Sequence, residues 1–138
     1  MARLTAKQKS DLNRSNAAMK NALVGTALEN VHPQETPQAA VAAGAITVKN
    51  GICTLAKTVA GVMAMTLADP TATTDDYKIL RIINAQAQAN TVTSATSFGG
   101  GGGSFDVATF DAAIGATLSL MAYAGKWYVI GVYGATLT

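Results

Sequence analysis

From Ala45 to the C-terminus, apolar runs of four to eight residues recur about every ten residues, with turn-forming residues between them and no helical period. A chain written this way has few options. Each run can bury one face of a strand but cannot bury an amphipathic helix. "AITVKNGICTL" (45–55) alternates Ile46 and Val48, passes Asn50-Gly51 and resumes at Ile52. Asn-Gly readily takes the positive φ values of a tight primed turn, so a hairpin is expected at 50–51. "VMAMTL" (62–67) alternates Met63, Met65 and Leu67; "DDYKILRIINA" (75–85), "NTVTSATS" (90–97) and "FDVATF" (105–110) follow. "ATLSLMAYAGKWYVIGVYGATLT" (116–138) reads as two strands around Ala124-Gly125 and a short final one. The expected fold class is mainly β: an antiparallel β-sandwich or barrel-like body of eight or nine strands over 45–138.

Two further regions precede the body. Residues 1–31 lack proline and place Leu12, Met19, Leu23 and Ala27 on one helical face, which predicts a helix over about 10–29. Thr5 is its expected N-cap, read as acting without a reciprocal box partner. Residues 32–44, "HPQETPQAAVAAG", hold two of the three prolines and are expected to be a linker.

Charge is unevenly placed. Residues 1–30 carry Arg3, Lys7, Lys9, Arg14 and Lys20 against Asp11 and Glu29, whereas 31–138 hold five basic and six acidic residues. Such a terminal segment either meets an acidic surface, nucleic acid or protein, or is simply a solvated helix face. Only 13% of the chain is charged while 49% is hydrophobic, a balance that suits a subunit covering its surface with copies of itself. No apolar run follows the N-terminal charges and none reaches membrane-spanning length, so a soluble chain made in a cytosol is expected.

The chemistry-bearing residues are sparse. Cys53 and His32 are each the single residue of their type, which excludes an intrachain disulfide and a Cys/His metal site; no cofactor is expected. Asp69, Asp75 and Asp76 could act as paired acids or hold calcium, but Asp-Pro and Asp-Asp are also ordinary turn chemistry, and the turn is favoured. The run "SFGGGGGSF" (97–105) lacks the helix and the Lys-Ser/Thr pair of a phosphate-binding loop. It reads as a wide hairpin loop, with Phe98 and Phe105 anchoring its ends. Basic residues are not interleaved with the aromatics except at Lys126, so specific nucleic-acid binding is not expected. Trp127 and Tyr128 fall on opposite faces of their strand, and an exposed one of them is a candidate sugar-stacking residue. No constellation suggests an enzyme.

Residues "TLADPTATTDDYKILRIINAQAQANTVT" (66–93) and "SFDVATFDAAIGATLSLMAYAGKWYVIGVYGATL" (104–137) resemble a small β module of tailed-bacteriophage structural proteins. The shared plan is an apolar strand ending in Leu-Ala-Asp, a Thr-rich turn and an Asp-rich entry into the next strand. A Thr-Phe strand, an Ile-Gly turn and a strand like "GKWYVIG" come later. The resemblance implies a capsid decoration or head-fibre protein, homotrimeric, on the outer capsid surface of the virion and made in the host cytoplasm. Its partners would be its own copies and the major capsid protein, with no membrane. The N-terminal arm (Arg3, Lys7, Lys9, Leu12, Arg14, Met19, Lys20 and Leu23) would hold the shell. Tail fibre or baseplate components, and a carbohydrate-binding module for host recognition, are the alternatives.

Overall fold

The computed structural model describes residues 5–14, 32–99 and 105–138. Two compact units divide the chain, Met1–His32 and Pro33–Thr138.

In the first unit, residues 6–14 are helical. Thr5 does cap this helix, and the expectation of a cap without a partner is corrected. The Gln8 backbone N–H donates to Thr5 Oγ1 (3.2 Å) while the Thr5 N–H donates to Gln8 Oε1 (2.8 Å). Gln8 stands three residues on, so this is a reciprocal capping box that satisfies two otherwise orphaned donors. The helix therefore starts earlier than the apolar stripe suggested. Met19, Leu23 and Ala27 lie outside the described residues.

The second unit is a mainly β body built from ten strands: β1 Gln38–Ala40, β2 Gly44–Ile46, β3 Gly51–Leu55, β4 Ala64–Leu67, β5 Ile79–Asn84, β6 Thr91–Phe98, β7 Phe105–Phe110, β8 Thr117–Tyr123, β9 Lys126–Tyr133 and β10 Ala135–Leu137. The order β1-β3-β5-β8-β9-β6-β4-β2 makes a nearly closed, barrel-like sheet, with β7 and β10 attached through β6. Its interior is filled by the alternate residues that the period-two pattern picked out, among them Met63, Met65 and Leu67, Leu80 and Ile82, and Leu118, Leu120 and Ala122.

The pairing is mixed rather than antiparallel. Successive strands up to β6 alternate between two parallel ladders, β1-β3-β5 and β2-β4-β6. The C-terminal strands then close the wall by antiparallel pairing of β5 with β8, β8 with β9, β6 with β7 and β7 with β10. From β1 to β6, consecutive strands thus stand on opposite ladders. The hairpin expected at Asn50-Gly51 is absent for this reason: β2 pairs with β4 and β3 with β1 and β5. Gly51 instead allows close approach, since a Cβ there would lie 2.6 Å from Gln34 Nε2 and 3.2 Å from the Glu35 carbonyl. Asn50 ties three segments together. Its Oδ1 accepts from the Ile79 N–H, its Nδ2 donates to the Pro33 carbonyl, and its own carbonyl accepts from the Glu35 N–H.

The residues read as a linker, 32–44, carry β1 and the start of β2. Extended backbone favoured by the prolines is also what a strand needs. The two ends of the barrel path, β1 and β2, are joined by a side chain. Gln38 donates through Nε2 to the Thr47 carbonyl, and its Oε1 accepts from both the Thr47 N–H and hydroxyl at 2.8–3.0 Å. The Gln38 amide stands in for a missing ladder bond.

Where the chain crosses from β5 to β6, the link is a buried pair of amides. Asn90 Nδ2 donates to Asn84 Oδ1 (2.8 Å), and Asn90 Oδ1 accepts from the Met63 N–H (2.7 Å). Asn84 Nδ2 in turn reaches the Gln88 and Asp111 carbonyls. Buried polar groups are tolerated when each finds a partner, as these do.

Candidate functional site

Loops 68–78, 96–99 and 123–126 meet around Trp127. Its indole is fully buried, and Nε1 donates to the Ala68 carbonyl at 2.8 Å. This corrects its candidacy as a surface aromatic: an N–H with a buried carbonyl partner makes Trp127 a core residue. Tyr128, one position on, faces outward and is half-buried.

The acidic residues of this region hold turns. Asp75 Oδ2 accepts from the Thr71 N–H (2.7 Å), Asp76 Oδ1 from the Ala124 N–H (2.8 Å), and Asp69 Oδ1 from the Thr96 hydroxyl (2.9 Å). Lys78 bridges Asp75 at 2.8 Å and Glu35 at 3.4 Å. The hydrogen bond that Lys78 donates to Asp75 raises the Lys78 pKa above its usual value, and the charges of Asp75 and Glu35 add to this against the cost of burial. Among the described residues, no three His, Cys, Asp or Glu side chains gather as a metal site.

The β8–β9 turn has the geometry first expected at 50–51. Ala124 and Gly125 both have positive φ, 50° and 77°, as a type I′ turn requires. The turn residues are anchored across the loop by Asp76. On the other side of that anchor Tyr77 also has positive φ, 70°. For a bulky residue this conformation costs about 1–3 kcal/mol and calls for an explanation. Its N–H donates to the Ala122 carbonyl (2.7 Å), and its ring lies 5.7 Å from that of Tyr123. Tyr123 in turn lies 6.2 Å from Tyr128. The strained backbone places Tyr77 in a chain of three tyrosines.

Register extends this cluster across the outer face of β5, β8 and β9. Tyr123 pairs with Lys126; Ile79, Met121 and Tyr128 form one cross-strand row; Arg81, Ser119 and Gly131 form the next. None of the outward positions on these three strands is acidic. Among the described residues, neither Arg81 nor Lys126 stands in an ion pair.

A second exposed region lies at the far end of β9. The sheet pairs β6 with β9 at Phe98 and Trp127 and no further, and a bulge at Ile130 shifts the β8–β9 register. Ile130, Val132 and Tyr133 are consequently 51%, 42% and 75% exposed. Val132 pairs with the buried Leu118 and so faces inward, yet it is only partly covered.

Of the arm residues, Lys7, Lys9, Leu12 and Arg14 lie on the exposed helix 6–14, whereas Arg3, Met19, Lys20 and Leu23 lie outside the described residues. The glycine run joins β6 to β7 as a hairpin connection, and Phe98 and Phe105 are cross-strand partners. Phe98 is buried but Phe105 is exposed, so one end of the loop is anchored in the core; 100–104 lie outside the described residues. Cys53 is buried, and desolvation pushes its thiol up to about 11.

Sequence reasoning passed over Tyr77, Arg81 and Val132, and weighed Tyr123 and Tyr133 only as aromatics that could stack on bases. The period-two alternation that groups Ile79 with Arg81, and Tyr123 with Met121, was the signal available for the outer face. No helix among the described residues is long and apolar enough to cross a membrane. No protein-family model and no curated protein matches the chain.

Proposed function

We propose that the chain is a non-enzymatic structural subunit of a tailed-phage virion, a capsid decoration or head-fibre protein that works as a homotrimer on the outer shell. The observation that supports this most directly is the end of β9. A strand whose apolar side chains are exposed on both faces, beside an edge without a ladder partner, is a surface that another copy can cover. Ile130 and Val132 are already about half covered, so burying the remainder against a neighbour contributes about 1 kcal/mol for each, before the cost of association. Residues 66–93 and 104–137, which resemble phage structural modules, supply the virion part of the reading.

The shell would be held by residues 1–32, with Lys7, Lys9 and Arg14 meeting acidic residues of the major capsid protein. Three arms on one trimer strengthen attachment through effective concentration, although each contact is weak. The boundary matters to the test, because a cut at 38 would remove Glu35 and Gln38 from the barrel. The experiment mixes stripped phage heads with the full chain and with a chain lacking 1–32, then measures co-sedimentation. The full chain is expected to sediment with the heads and the shortened one to stay in solution. Equal sedimentation of both, or of neither, removes the proposal.

A further inference from the structure

The tyrosine cluster on the outer face is separate from the β9 end and calls for its own account. Tyr77, Tyr123 and Tyr128 follow one another at 5.7 and 6.2 Å with their rings inclined at 45° and 61°. Beneath them run Ile79 and Met121, and at opposite corners stand Arg81 and Lys126. Strand geometry sets the Cα atoms of these two residues roughly 16 Å apart, from two residue pairs along the strands and two strand spacings across them.

Three features narrow the occupant. The inclined rings offer separate faces rather than one flat plane, which suits a chain of small rings better than another sheet. The corners are cationic, no outward residue on the three strands is acidic, and the carboxylate beside the rings, Asp76, is held by the Ala124 N–H, so the balance of charge favours an occupant that is negative. A second copy docked face to face would set two more cations against these two, with Asp76 of each copy already held by the Ala124 N–H, an unfavourable match for an isologous contact. The phenolic hydroxyls add donors and acceptors at the rim. Pyranose rings meet this description: their C–H faces stack on the electron-rich faces of aromatic rings, and their hydroxyls hydrogen-bond around them. The guanidinium of Arg81 pairs with a carboxylate through two parallel hydrogen bonds.

We propose that Tyr77, Tyr123 and Tyr128, with Arg81 and Lys126, form a binding site for an acidic saccharide chain of a few sugar units whose carboxylates meet the two cations. The site does not depend on the virion reading and stands or falls by itself. The strained φ of Tyr77 is then what brings the first ring into line.

The test titrates the full-length chain with an oligogalacturonate and with a neutral oligosaccharide of equal length, followed by amide chemical shifts. The acidic chain is expected to bind, with shifts confined to residues 76–81 and 121–128. Arg81→Gln should weaken it roughly tenfold, in line with loss of a charge-assisted bond. Tyr77→Gly should weaken it similarly while leaving the fold as stable or more so, because glycine accepts the positive φ; this separates a binding role from a packing one. Equal binding of the neutral chain, shifts elsewhere or no binding at all would overturn the proposal. So would a changed native mass for Arg81→Gln, which would make the patch a contact between copies.

Discussion

Asn90 offers the sharpest test of how the two ladders are held in register. Replacing it by alanine removes the acceptor of the Met63 N–H and the donor to Asn84 Oδ1, both in the interior. Each buried group left without a partner costs about 1–3 kcal/mol, so Asn90→Ala should lose about 2–6 kcal/mol. That is a large share of the roughly 5–15 kcal/mol that stabilises a unit of this size. Urea unfolding can be followed by the fluorescence of Trp127, the single tryptophan, fully buried in the native state. Asn90→Asp serves as the control. It keeps the acceptor for Met63, and when protonated it can donate to Asn84. When ionised it places a buried charge against that oxygen, which raises its folded pKa above the ordinary Asp value of about 3.9. The stability of this variant is therefore retained at acid pH and lost as pH rises through the folded pKa. A loss below about 1 kcal/mol for Asn90→Ala, or an Asn90→Asp variant indifferent to pH, would mean that the buried amide pair does not hold the crossing.

Ser94 is buried with a hydroxyl that has no hydrogen-bond partner among the described residues, so Ser94→Ala should raise stability by about 1 kcal/mol in the same urea assay. Cys53, with its thiol near 11, should resist thiol reagents at pH 8 until urea unfolds the chain. Because its folded pKa is raised above the unfolded 9.0, its contribution is whole below pH 9 and is lost progressively as pH climbs toward 11. Gln38→Ala removes the side-chain bridge to Thr47 and should cost about 1 kcal/mol by thermal unfolding, whereas Gln38→Glu should keep part of it through the retained acceptor.

Much of the strand pattern was legible because alternation depends on burial alone. Met63, Met65 and Leu67, and Leu118, Leu120 and Ala122, declared their inward face whatever strand lay beside them. The same independence hid the topology. A period of two is identical for parallel and antiparallel neighbours, so nothing in "AITVKNGICTL" told a hairpin from two strands on separate ladders. At Gly51 the glycine answers a steric demand from Gln34 and Glu35 rather than a turn, and its ladder partner is the distant Leu80. β1 and β2 are three residues each, too short to show a period. The site was less legible. Alternation separated Trp127 from Tyr128 but could not say which was inside; the Ala68 carbonyl decides that. Tyr77 joins Tyr123 only because Asp76 and the Ala122 carbonyl pull an acidic loop against a distant hairpin. The exposed Val132 follows from a bulge at Ile130 that no local residue preference announces.

On the proposed function, the body associates with copies of itself through the exposed end of β9. The native mass of the purified full-length chain tests it most directly, by light scattering or native mass spectrometry. With a chain of 14.1 kDa, the account predicts a homotrimer of three times that mass, which Val132→Asp reduces to the monomer. A wild-type chain that stays at 14.1 kDa across concentration would contradict it.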